Sequence, residues 1–388
     1  MQEAATTHHR ISHAPEVTAP EVTETAPQTD ALHITCEIPD FGSLAAQWQA
    51  LESQAEASFF QSWRWVGCLA AKRYSDPLLL RLHAGGRTVG LALANRKRGR
   101  WHLQESGDPD WDCVFTEHNA PLLARSHASC LPALLAAGLQ RGAWRLSGVG
   151  DAVLAAARAA GHCHRLHSRQ APVLVLDHST ADPAESWFAG LGAATRAQLR
   201  RTRRHYAARG TLSLQQAQSA AEALEMLAAL ERLHAAAWQA RGQTGAFARP
   251  GFATFHRALL TQAVPSGEAV LLRIAAGTHV LGYLYNFAFR GRVYAYQSGF
   301  DMGTPNVSPG LLCHELAIRE AARQGMAAYD FLAGAARYKR SLASRTTWLH
   351  WCDLTRPGSW RDWQERLRER ARRLRRDPAD RENLQTTP

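Results

Sequence analysis

The 388-residue chain contains no apolar run approaching the roughly 18–20 residues that cross a bilayer, so no membrane-spanning helix is expected. Its N-terminus lacks the apolar core and cleavage pattern of a signal peptide, and the expectation is a soluble cytoplasmic protein. Cysteine is sparse: Cys36, Cys68, Cys113, Cys130, Cys163, Cys313 and Cys352 are odd in number and never spaced as CxxC. That fits free thiols in a reducing compartment better than a disulfide framework. No P-loop, no GxGxxG and no nucleophile elbow occurs, which removes nucleotide-cradle folds and covalent Ser–His–Asp or Cys–His chemistry. Acidic residues are outnumbered, 34 against 45 Lys and Arg, leaving a formal charge of +11. Such a balance suits an anionic ligand, surface or substrate.

What the chain does have is material for folding. Apolar residues make up 46% and there are twelve Trp, enough for two domains with real cores. Residues 1–31 are the exception. They carry a short APEVT repeat and almost no large apolar side chain, so burial cannot offset ordering entropy and disorder is expected. Residues 32–180 read as one α/β half. Helices are expected at Phe41–Leu51, Gln61–Lys72, Ala128–Gln140 and Asp151–Ala160. Strands are expected at Leu78–His83 and Thr88–Asn95, joined at the hairpin signal Ala84-Gly85-Gly86-Arg87, and at Gln170–Leu176. Residues 181–356 form the second half, and 357–388 a basic amphipathic helix and tail. The fold class is mixed α/β.

The second half is organised around Val293–Lys339. Val293–Phe300 is rich in Tyr and Val and reads as a buried strand. Gly303, Thr304 and Pro305 make a loop, and Ser308-Pro309 starts a helix, with Ser as the cap and Pro at the first helical position. The helix runs over Gly310–Gln324 to Gly325, a C-terminal cap, and Ala327–Leu332 is again a strand. A strand that feeds a helix N-terminus beside a parallel strand offers free amides and a favourable dipole to an anion such as pyrophosphate. An ordinary crossover helix fits the same pattern.

Four further stretches carry chemistry-bearing residues. His162, Cys163, His164 and His167 are dense in ligand types, but no second ligand pair stands at a metal-site spacing, and no metal is expected. Asp108, Asp110, Asp112, Glu117 and His118 form an acidic loop around Trp111, either solvated or open to a cation or an amine. Arg196, Arg200 and Arg204 share one helix face, which is either solvated or grips a phosphate-rich partner. After Ser359, Trp360, Trp363, Leu367, Ala371 and Leu374 form an apolar stripe opposite many Arg. The expected fate of that helix is packing on its own domain with Arg in solvent; lying on an anionic membrane surface is the other option.

Gly299-Phe300-Asp301, Ser308-Pro309-Gly310, Tyr329-Asp330-Phe331-Leu332, Gly334 and Tyr338-Lys339 stand in an order that resembles the CelD-like/FemAB-like acyltransferases of the GNAT superfamily. Phe60-Gln61-Ser62-x-x-Trp65 and Arg200-Arg201-x-Arg203-Arg204 with Gly210 extend the resemblance, so it spans about Phe59 to Asp353. It implies tandem GNAT-like units, each a mixed sheet flanked by helices, and direct acyl transfer from acyl-CoA to an amine or, secondarily, a hydroxyl. No covalently bound cofactor is implied; acyl-CoA is the co-substrate. The two strands would splay around the acyl chain. Backbone at Gln297, Ser298 and Gly299 would hold the carbonyl, and the turn at Ser308, Gly310, Leu311 and Leu312 would take the pyrophosphate. Tyr338 would protonate the leaving thiolate. Lys339 and Arg340 would hold phosphates, and Asp330 would serve as base or amine-orienting carboxylate. Tyr285, Arg200 and Arg204 would meet the substrate, with His314 a further candidate. The common GNAT phosphate loop, Arg/Gln-x-x-Gly-x-Gly/Ala, is missing.

The acceptor would be a small molecule or glycan precursor in cell-envelope or exopolysaccharide metabolism. Two rival readings stand beside this one. A Fem-like aminoacyl transferase would take its acyl group from aminoacyl-tRNA through the Arg200–Arg204 stripe, although the Fem coiled-coil arm has no counterpart here. A non-catalytic accessory protein of a polysaccharide synthase would keep the fold alone.

Overall fold

A computed structural model describes residues 32–71, 73–303 and 307–375. The expected N-terminal tail, loop residues 304–306 and residues 376–388 lie outside them. The strands are β1 His33–Glu37, β2 Pro77–Ala84, β3 Arg87–Lys97, β4 Arg100–Leu103, β5 Leu122–Leu123, β6 Trp144–Val149, β7 His162–Val175, β8 Leu212–Gln216, β9 Ala269–Ala276, β10 His279–Phe289, β11 Arg292–Phe300, β12 Ala328–Asp330 and β13 Arg345–Thr355. The helices are α1 Phe41–Gln54, α2 Trp63–Ala70, α3 Leu131–Leu139, α4 Asp151–Ala160, α5 Pro183–Gly190, α6 Ala193–Ala207, α7 Ala220–Gln239, α8 Pro250–Ala263, α9 Pro309–Arg323, α10 Arg337–Leu342 and α11 Trp360–Arg375.

All thirteen strands join one mixed sheet, ordered β1-β2-β3-β4-β6-β13-β7-β12-β11-β10-β9-β8, with β5 paired to β3. The pairs β4–β6 and β11–β12 are parallel and the others antiparallel. The expected mixed α/β class is what the chain adopts. A division at residue 180 runs through the sheet rather than beside it. β13, late in the sequence, lies between β6 and β7, and β7 passes on to β12. Aromatic stacking crosses the same line: Phe59 stacks on Phe287 at 4.1 Å, and Trp65 meets Phe255 at 4.9 Å.

Local expectations shift at a few places. The strand expected at Gln170–Leu176 begins at His162, because β13 pairs along nearly its whole length. The helix expected at Ala128–Gln140 is a 3-10 stretch, Arg125–Cys130, followed by α3, whose first turn holds Pro132. In α11 the packing is reversed from expectation. Trp360, Trp363 and Leu367 are 66%, 52% and 42% exposed, whereas Asp362 and Glu365 are buried. Ion pairs to β4 and β7, not apolar contact, seat this helix; the side chain of Leu374 lies outside the described set.

Gly299 shows how tightly β11 meets α7. A Cβ there would lie 2.5 Å from the Leu230 carbonyl and 3.1 Å from the His234 nitrogen. Gly299→Ala is therefore expected to cost about 1–3 kcal/mol as overpacking, read as a lower urea midpoint. An unchanged midpoint would mean that α7 yields freely.

Candidate active site

Parallel pairing of β11 with β12 stops at Tyr294–Asp330. Beyond it the backbones diverge, because Phe331 and Gly334 donate instead to Pro172 and Gln170 of β7. The gap is a cavity of about 540 Å³, walled by residues 295–300 on one side and 332–336 on the other. A second cavity, of about 610 Å³, surrounds the start of α9. Both are lined by Arg241, Phe300, Met302, His314 and Tyr338, so they form one continuous groove with Tyr338 at the junction.

Tyr338 stacks on His314 at 5.0 Å, and burial pushes its phenol up to about 12, so it carries its proton throughout the physiological range. His314 is held down to about 3 by burial, with Lys339 adding to the effect, and is neutral. Its Nδ1 lies 3.1 Å from the Tyr329 hydroxyl, and its Nε2 has no hydrogen-bond partner among the described residues.

The turn at the start of α9 differs from expectation. Ser308 stands at the N-cap position, its carbonyl receiving the Leu311 and Leu312 N–H groups, but its side chain does not cap: its Oγ accepts from Gln198 of α6 at 2.9 Å. Ser308, Gly310 and Leu311 line the second cavity, whereas Leu312 is fully buried in the core. Gly310 makes room for Phe300, whose ring would stand 2.7 Å from a Cβ. Gln297, Ser298 and Gly299 line the first cavity.

Three sequence candidates have other duties. Asp330 is fully buried; its Oδ1 accepts from the Leu332 N–H at 2.9 Å, and its Oδ2 lies 3.0 Å from Arg292 and 3.1 Å from His118. Burial raises its pKa, but His118, the Leu332 amide and Arg292 outweigh that and hold it below the carboxylate norm. A carboxylate so stabilised is a poor base, and it lines neither cavity. Lys339 lines the first cavity, yet its Nζ donates to the carbonyls of Phe331 at 2.6 Å and Ala333 at 2.9 Å. Together Asp330 and Lys339 brace the Phe331–Gly334 turn, where Leu332 has φ of 58°. Tyr285 is fully buried, its hydroxyl 3.1 Å from His256 in an aromatic core.

Exposed Arg200 lies over Phe188, and exposed Arg204 and Arg340 line neither cavity. Between them in sequence, Arg203 is occupied by a two-pronged pair with Glu315 at 2.7 and 2.6 Å. Besides Lys339, the Lys and Arg side chains that line the groove are Arg241 and Arg337 in the second cavity, and Arg169 and Arg241 in the first.

The carboxylate in the groove comes from the other half of the chain. Glu117 lines the first cavity, and its Oε2 accepts from the Ala333 N–H at 2.7 Å. Burial raises its pKa against the pull of that amide and of Lys339. The segment is held by the Phe-Gln-Ser-x-x-Trp stretch. Gln61 Nε2 donates to the carbonyls of Ala120 and Pro121 at 3.2 and 3.1 Å, and Trp65 Nε1 to Thr116 Oγ1 at 3.3 Å. Ser58 Oγ donates to the His118 carbonyl at 3.0 Å. Sequence reading treated Glu117 as part of an acidic loop. Its one distinguishing signal was its distance from the Asp108–Asp112 cluster, which folds on itself through Asp112, Ser106 and Gly107. His162 and His164 do find a third ligand type, Asp362, with donor atoms all within 4.8 Å.

Residues 193–340 match the Acetyltransferase (GNAT) domain family. The likeness is confined to this segment, less than half of the chain. The segment contains α6, α9, Tyr338 and the splayed strands, so the groove described above lies largely within it. No curated protein matches the chain. Among solved structures, FemX is similar with a TM-score of 0.54 at 10% identity, over 83% of this chain and 97% of that one, a likeness of fold alone. The C-terminal domain (DUF2156) of a putative lysylphosphatidylglycerol synthetase from Agrobacterium fabrum aligns with a TM-score of 0.49 at 9% identity, over 81% of this chain and 92% of that one. A tandem GNAT protein from the clavulanic acid biosynthesis pathway aligns with 0.46 at 14%, over 85% and 100%.

Proposed function

We propose that the protein is an N-acyltransferase that moves an acyl group from acyl-CoA directly to an amine, with a hydroxyl as the lesser acceptor. The observation that carries this reading is the continuous groove with Tyr338 at its waist. On one side stand the start of α9, Arg241 and Arg337, chemistry suited to a phosphorylated donor; on the other stands Glu117, chemistry suited to an amine. In the reaction Glu117 takes the amine proton as nitrogen attacks the thioester carbon. Backbone donors of Gln297–Gly299 hold the oxyanion. The carbon–sulfur bond then breaks, and Tyr338 gives its proton to the thiolate. No enzyme-bound acyl intermediate is required. The narrower CelD-like resemblance supports a setting in cell-envelope or exopolysaccharide metabolism without identifying the acceptor.

A thermal-shift titration with acetyl-CoA, longer acyl-CoAs and free CoA tests the donor. At 100 times its dissociation constant a ligand adds about 2.7 kcal/mol to native stability. The shift is expected to shrink on neutralising Arg241 and Arg337. Tyr338→Phe is expected to keep the shift and to lose about 10²-fold or more in turnover with an amine acceptor. Absence of any shift, together with no acyl-CoA consumption over an amine panel, sinks the reading. Salt-sensitive binding of charged tRNA in that case would favour the aminoacyl-transferase alternative, and binding of neither would favour the accessory protein.

A further inference from the structure

The C-terminal helix α11 is amphipathic in the opposite sense to an ordinary surface helix. Asp362, Glu365 and Glu369 recur at helical spacing and face the protein. Asp362 Oδ1 lies 3.0 Å from His162 and 2.8 Å from His164. Glu365 meets Arg100 at 2.6 Å and Arg165 at 3.1 Å, and Glu369 accepts the Arg165 N–H at 3.1 Å. These contacts fix the rotation of the helix about its axis. They leave Trp360, Trp363 and Leu367 in solvent as one stripe, flanked by exposed Arg366, Arg368, Arg370 and Arg372.

We propose that α11 docks the protein on an anionic lipid surface, the Trp360–Trp363–Leu367 stripe entering the headgroup boundary and the flanking arginines meeting lipid phosphates. Charge complementarity and side-chain chemistry both choose this occupant. A second copy of the helix would set arginine against arginine. Nucleic acid would need free aromatic faces on which to stack bases, whereas Trp360 and Trp363 stack on each other at 5.0 Å with planes 24° apart. Leu367 adds aliphatic surface that a phosphate backbone has no use for. The inference is independent of the reaction proposed above.

The test is co-sedimentation of the full chain with vesicles of phosphatidylcholine alone and of phosphatidylcholine mixed with phosphatidylglycerol. Binding is expected to the anionic vesicles at low salt, to weaken as salt rises, and to be far weaker on the neutral ones. Trp360→Ser with Trp363→Ser should lower partition at least about tenfold while leaving the melting temperature unchanged, because both side chains are exposed. Arg370→Ala and Arg372→Ala should each lower it about fivefold on anionic vesicles only. No binding to anionic vesicles, equal binding to neutral ones, or full binding by the double Trp variant overturns the proposal. A double Trp variant that loses tRNA retention but keeps vesicle binding overturns it in favour of nucleic acid.

Discussion

Glu117→Gln is expected to lower kcat by about 10²–10⁴-fold, the range over which a positioned general base contributes. The substitution keeps an oxygen that can accept the Ala333 N–H, so the wall of the cavity should hold its shape. What is lost is the ability to take a proton from the attacking amine. Burial raises the Glu117 pKa, so wild-type turnover should fall on acidification at a higher pH than an ordinary carboxylate would dictate. The working form is the ionised one. The rate therefore rises with pH through that pKa, and this limb should vanish in the variant. Acyl-CoA binding, read as a thermal shift, should be largely kept, because Ser308, Gly310 and Arg337, which face the donor's phosphates, line the other cavity. A Glu117→Gln enzyme with full activity and an unaltered pH profile would remove Glu117 from the mechanism.

Asp330→Ala should act on stability first, with a cost of about 3–5 kcal/mol, the usual price of breaking a buried ion pair by deleting one partner. Arg292 and His118 would each lose their carboxylate, and the Leu332 N–H its acceptor. Linkage adds a pH signature. The pKa of Asp330 is depressed in the fold, so its contribution is present above the unfolded value of about 3.9 and is lost as pH falls through the folded value. His118 is raised: burial opposes the charge, but Asp330 outweighs it. Its contribution is complete below its unfolded value of about 6.5 and is lost as pH rises through the folded one. The pair thus stabilises most between about pH 4 and 6.5, and urea midpoints of wild type should exceed those of the variant by the widest margin there. If Asp330→Ala instead folds with unchanged midpoints and loses only turnover, Asp330 is the base after all.

Much of the scaffold was readable in one dimension because it is built from local signals. The Tyr- and Val-rich strand before Gly299, Pro309 in the first turn of α9 and Gly325 at its end are each set by backbone preferences of a few neighbouring residues, and the elements formed within a residue or two of expectation. The order of the motifs pointed to an acyltransferase fold, which the GNAT domain match over 193–340 bears out at that level. Which polar groups face the groove was not readable. Tyr338 and Asp330 look equally chemical as letters, yet packing puts one at the junction of two cavities and seals the other behind Arg292 and His118.

Long-range pairing decided the rest. Glu117 reaches the GNAT segment because Gln61 and Trp65 hold its loop against a sheet shared by both halves. The face that α11 shows to solvent was ambiguous for the same reason. Periodicity defines an apolar stripe and a charged one, and only the partners waiting on β4 and β7 determine which is turned inward. The sequence alone determined the strand, turn and helix around the groove and their order, since these depend on near neighbours. The tertiary structure alone decided which side chains meet, since burial and ion pairing join residues that the chain keeps far apart.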